Sequence, residues 1–167
     1  MSRAGTIDGR QFARDRGVVS GTLELEDLPR LAELGCAAAT LRFTVRGSKD
    51  PDERQCLTVE AAGQLQLVCQ RCLGPLDVPV ALSSELELAG TQEEIDAADD
   101  DIDRVLATKS MAVAQLVEDE AILALPMVPV HDRCEARNAP KEDVVTSPFA
   151  TLATLRKSGA GPKGRRQ

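Results

Sequence analysis

The chain has 167 residues, room for one domain with tails and enough to bury a real core. Three phenylalanines with no tyrosine or tryptophan mean an aliphatic core, and they leave almost nothing on which nucleic-acid bases could stack. The net charge of −7 argues against a polyanion-binding body, five cysteines do not make a disulfide scaffold, and no apolar run approaches the roughly 18 residues of a membrane span.

Residues 1–17 are polar and arginine-rich (Arg3, Arg10, Arg14, Arg16), show no clear period and read as an N-terminal arm. They lack the apolar stretch of a secretory signal, so a reducing cytoplasm is expected. Val18 to Leu25 alternates as a strand, with Val19, Gly21, Leu23 and Leu25 on one face. Asp27 is placed to cap a short helix that carries Pro29 in its first turn and ends at Gly35. Leu41, Phe43 and Val45 alternate with Arg42, Thr44 and Arg46 in a second strand, and 47–52 has turn composition. Leu57 to Leu67 forms a third strand, with Gly63 marking a bulge. Leu76 to Leu88 forms a fourth, in which Pro79 demands an edge or an outward-facing missing donor.

This alternation is the pattern of an antiparallel sheet with one wet face, whose dry face needs a cover. The acidic block 92–103 reads as a solvated surface loop with at most a helical turn. It lacks the Asp/Gly spacing of a calcium loop. Ser110 would cap a helix over 111–124 that stops at Pro126. At about 100° per residue, Val113, Leu116, Val117, Leu123 and Ala124 make its apolar stripe, and Glu120 falls inside that stripe. A carboxylate there needs a partner, either an arginine, for which Arg71 or Arg133 would suit, or loop backbone; otherwise the helix is rotated and Glu120 lies at its wet margin. The predicted class is thus α+β: an antiparallel β-sheet of about four or more strands covered by one or two helices, with flexible termini. The domain would run over 18–157, followed by a flexible basic tail at 158–167.

Cys69-Gln70-Arg71-Cys72 lies between the third and fourth strands, at the turn of a predicted hairpin. Such a turn can point two thiolates at one metal ion, and Leu73-Gly74 lets the chain reverse, because glycine tolerates positive φ. A structural zinc site wants four ligands. The other candidates are His131 and Cys134, delivered by Leu125-Pro126-Met127-Val128-Pro129-Val130, which two prolines hold extended. Cys69, Cys72, His131 and Cys134 would make a Cys3His set. The alternative is two reduced thiols packed at a turn, with His131 in solvent.

Three segments resemble one family. They are Cys69-Gln70-Arg71-Cys72, the run from Val117-Glu118-Asp119-Glu120 through Leu125-Pro126-Met127-Val128-Pro129-Val130-His131-Asp132, and Ser147-Pro148-Phe149-Ala150-Thr151-Leu152-Ala153-Thr154-Leu155. In this order they look like the YceD family, the bacterial large ribosomal RNA subunit accumulation proteins, over roughly residues 15–157. The resemblance implies a role in synthesis, processing or stability of large-subunit ribosomal RNA, with no established catalytic chemistry. Some relatives carry further cysteines after the Pro-x-x-Pro segment, where this chain has Cys134.

The leading expectation is a noncatalytic ribosome-biogenesis factor that contacts precursor large-subunit RNA, a ribosomal protein, or both. Arg71, Arg42, Arg46 and the basic tail are its candidate phosphate contacts, and Glu120 its candidate buried carboxylate. The acidic loop would better suit a basic ribosomal protein. A zinc-dependent hydrolase or nuclease using Glu120, and a zinc-stabilised adaptor unrelated to ribosomes, are the competing readings. No small-molecule substrate and no membrane partner is indicated.

Overall fold

Leu41, Phe43 and Val45 are buried while Arg42 and Arg46, at the alternate positions, are exposed, and this period of two builds the long strands. The computed structural model describes residues 5–97 and 103–134. The expectations for 135–147, for Phe149, Leu152 and Leu155, and for the basic tail lie outside the described residues, as do Asp99, Asp100 and Asp101.

Strands β2 (Val18–Glu24), β3 (Ala38–Lys49), β4 (Gln55–Val68) and β5 (Pro75–Ala89) pair antiparallel in sequence order. A short strand, β6 (Arg104–Leu106), joins β5 parallel at Glu87–Ala89. The expected α+β sheet is present, with β6 as the one parallel addition. Two-residue strands β1 (Thr6–Ile7) and β7 (Met111–Ala112) pair separately. Helices α1 (Gly9–Arg14) and α4 (Val113–Leu123) cover the dry face, α1 on β3 and β4, α4 on β4 and β5. The short α2 (Pro29–Glu33) packs against α4. No helix among the described residues is long and apolar enough to cross a membrane.

Several expectations are corrected. Residues 6–14 are not periodless: Asp8 caps α1 by accepting from the Gln11 N–H at 3.0 Å, and Ala13 is fully buried. Strand β3 runs on through Gly47 to Lys49, paired with Leu57–Gln55 of β4, and position 47 takes a glycine where α1 lies so close that a Cβ would strike the Phe12 carbonyl. Gly63 makes no bulge. The register passes through it unbroken, opposite Leu41 and Val80, and a Cβ would run into the Thr40 carbonyl of the neighbouring strand. The acidic segment begins with a capped helical turn, α3 (Gln92–Asp96), in which Thr91 accepts from the Glu94 N–H.

Helix α4 starts at Val113 rather than after Ser110. Met111 and Ala112 are taken up by pairing with β1, and the Val113 N–H, an orphan donor of the first turn, bonds to the Gly5 carbonyl at 3.1 Å. Its buried face is also turned. Val113, Leu116 and Val117 are buried as expected, but Leu123 is 78% exposed and Ala124 is exposed, while Glu118 and Ala121 are buried. The turn is explained by Glu118. Its carboxylate, 2% exposed, accepts the Leu31 N–H at 3.0 Å and so caps α2, which has no side-chain cap of its own. Arg30 and Asp119 form an ion pair beside it.

Candidate metal centre

The hairpin tip between β4 and β5 is a tight loop. The Leu73 N–H bonds to the Cys69 carbonyl at 2.9 Å, and the Cys69 N–H to the Gly74 carbonyl at 2.9 Å. Leu73, not Gly74, takes the left-handed conformation, with φ of 59°. Closing the loop by those two bonds puts the positive φ one residue before the glycine, and a Cβ on Gly74 would sit 3.5 Å from the Cys72 sulfur.

The proline-stiffened strap lies against this tip. Its Pro129 carbonyl accepts the Gln70 N–H at 2.8 Å, which registers strap on hairpin. The strap then delivers His131 and Cys134. The sulfurs of Cys69 and Cys134 are 3.8 Å apart, and Cys72 Sγ lies 3.4 Å from His131 Nδ1. One donor atom from each of Cys69, Cys72, His131 and Cys134 falls within 4.8 Å of every other. These four could hold one metal ion. A tetrahedral zinc with the usual bond lengths of about 2.3 Å to sulfur and 2.0–2.1 Å to nitrogen has edges of roughly 3.5–3.8 Å, so the donor set fits.

Second contacts orient the donors. His131 Nε2 is 3.0 Å from the Pro75 carbonyl, so the ring carries its proton there and leaves the Nδ1 lone pair facing Cys72. Arg71 donates from Nε to Cys134 Sγ at 3.1 Å and from its terminal nitrogen to the His131 carbonyl. Cys69 is fully buried, which opposes ionisation. The backbone N–H groups of Cys72, His131 and Arg71 outweigh that and bring its thiol down from 9.0 to about 5. Around Cys72 the Gly74 N–H favours the thiolate, but burial and the neighbouring sulfurs win and push that thiol up.

The remaining predicted residues lie elsewhere. Arg42 and Arg46 are on the open face of β3. Arg46 pairs with Glu60, and Arg42 lines an open depression of about 540 Å³ with Thr44 and Ser83. Glu120 is 9% exposed, inside the cover as its place in the stripe predicts. Its expected arginine partner is not there. Arg71 is committed to Cys134 and His131, and no hydrogen bond reaches the Glu120 carboxylate among the described residues. The expected cap of α2, Asp27, instead accepts the Glu24 N–H at 3.3 Å in the turn before it, so α2 is left to Glu118; neither Glu118 nor the Pro75 carbonyl carried a sequence signal.

A family model described as large ribosomal RNA subunit accumulation protein YceD matches residues 57–156. The chain belongs to the YceD family. A YceD relative from Haemophilus influenzae, named large ribosomal RNA subunit accumulation protein YceD, is 30% identical over 174 residues, covering 90% of this chain and 94% of its own. No solved structure matches the chain. The YceD match spans both segments of the donor cluster, from Cys69 through Cys134.

Proposed function

We propose that this YceD-family chain is a noncatalytic ribosome-biogenesis factor, acting in the cytoplasm, that supports accumulation of large-subunit ribosomal RNA. The observation that carries the reading is the family match over residues 57–156, together with the printed name of the Haemophilus influenzae relative. The direct contact would be a ribosomal protein, precursor RNA, or both. Arg42, exposed on the open face of β3 beside Arg46, is the side chain best placed to meet phosphate.

The same reading makes Cys69, Cys72, His131 and Cys134 a structural zinc site. When bound, the ion would supply a cross-link between hairpin tip and strap. All four corners are taken by side chains, whereas a hydrolytic zinc keeps one open, and this donor set favours the structural role over a hydrolase. Arg71 would offset the negative charge of three thiolates on a divalent ion.

The test is removal of the gene from its host, followed by quantification of mature and precursor large-subunit RNA against small-subunit RNA. Large-subunit RNA should fall selectively and return with the wild-type gene. An unchanged ratio would reject the role. Elemental analysis of the purified chain should find one zinc per chain, and a metal-free protein after purification without chelator would reject the site.

A further inference from the structure

Strand β5 has a free edge. The Pro75 carbonyl points away from β4 to His131, the Glu87 N–H bonds outward to the Asp103 carbonyl, and the Ala89 carbonyl accepts outward from Ala107. All three positions are odd-numbered, and antiparallel pairing alternates, so the backbone groups of Asp77, Pro79, Ala81, Ser83 and Glu85 also face outward. Strand β6 covers β5 at Glu87–Ala89, and among the described residues no strand pairs with the edge before it. Pro79 thereby loses no ladder bond with β4.

Beside this edge runs the strap, and between them lies a groove of about 510 Å³. Its walls are half-buried Leu76 and Val78 on one side and Val128 and Val130 on the other, the latter two 62% and 45% exposed. Met127, next to it, is 99% exposed. Besides His131, whose imidazole is tied to Cys72 and the Pro75 carbonyl, the groove's titratable side chains are Asp77 and Asp132, both acidic, and no lysine or arginine lines it. An unpaired edge next to apolar pockets is the arrangement by which a sheet accepts an added strand.

We infer that this groove is a docking site for an extended segment of a protein partner, one that alternates apolar side chains with lysine or arginine and adds a strand to the outer edge of β5. Main-chain bonds to Asp77, Pro79 and Ala81 hold the segment. Alternate apolar side chains enter between Val78 and Val128, and the cations meet Asp77 and Asp132. Nucleic acid is disfavoured there, since phosphates would face two carboxylates and the one ring, His131, is held by Cys72 and the Pro75 carbonyl. The inference deepens the ribosomal reading and rests on it for the identity of the partner, because basic extended segments suit a factor that meets ribosomal proteins.

The test uses the full chain and a fluorescein-labelled ten-residue peptide alternating valine and lysine, with a counterpart carrying glutamate for lysine. Anisotropy should show binding of the lysine peptide alone. Asp77→Lys, which reverses one groove charge, and Ala81→Pro, which deletes one outward donor, should each weaken it at least tenfold. Circular dichroism confirms that both variants fold, and the amides of Asp77 and Ala81 should gain hydrogen-exchange protection with peptide. Equal binding by wild type and both variants, no binding of the lysine peptide, equal binding of the glutamate peptide, or displacement by a single-stranded oligonucleotide would each overturn the proposal. So would a solution dimer that Ala81→Pro dissociates, which would assign the edge to a second copy of the chain. The two readings fail separately. If the Asp77→Lys gene restores ribosomal RNA in cells although its product binds no peptide, the groove's link to the ribosomal reading is wrong and the ribosomal role stands. If the peptide binds but gene removal leaves ribosomal RNA unchanged, the reverse holds.

Discussion

Arg71 reaches across from the hairpin tip to the strap and donates from Nε to the sulfur of Cys134 at 3.1 Å, while its terminal nitrogen bonds the His131 carbonyl. One guanidinium thus touches two of the four donor residues, and its rigid fork spans both partners as an ammonium cannot. Arg71→Ala should weaken zinc binding about 10- to 100-fold, the usual cost of removing an outer contact of a metal site. Arg71→Lys should recover little of it. Competition against a chromophoric chelator measures both, and unaltered affinity in Arg71→Ala would show that the guanidinium does not organise the site.

The metal-free protein should lose stability in acid through Cys69. Its folded pKa of about 5 lies below the ordinary 9.0, so the unfolded chain holds the proton more tightly. The contribution is complete above pH 9 and declines as pH falls toward 5. Urea midpoints of chelator-treated protein should drop between pH 9 and pH 5, and Cys69→Ser should flatten that dependence. The same slope in the variant would mean that another group is responsible.

Glu118 should behave as a structural carboxylate. Glu118→Ala leaves the buried Leu31 N–H without a partner, a loss of about 1–3 kcal/mol. Glu118→Gln keeps an acceptor oxygen and should lose less. Urea unfolding distinguishes them, and equal stability of Glu118→Ala and wild type would rule out the capping role.

Gly63→Ala tests the close approach of β3 and β4. The added methyl meets backbone, the Thr40 carbonyl, which cannot swing aside as a side-chain tip would. A destabilisation of about 1–3 kcal/mol is expected, as for other overpacked sites. A thermal melt matching wild type would show that the strands part there easily.

Local signals carried much of this molecule. Alternation in Leu41–Arg46, Leu57–Leu67 and Leu76–Leu88 determined the central strands and their dry face, since burial on a pleated surface has period two. The two prolines at 126 and 129 determined an extended strap, and the four donor types named the metal candidates. Tertiary structure alone decided the rest. The rotation of α4 depends on a hydrogen bond between Glu118 and a residue 87 positions away. The start of α4 depends on a strand contributed by Thr6 and Ile7. Cys69 and Cys134, 65 positions apart, meet because the hairpin tip and strap are registered by the Gln70–Pro129 bond. Periodicity reports which side of an element faces inward, but it holds no information on which distant backbone donor will be waiting there.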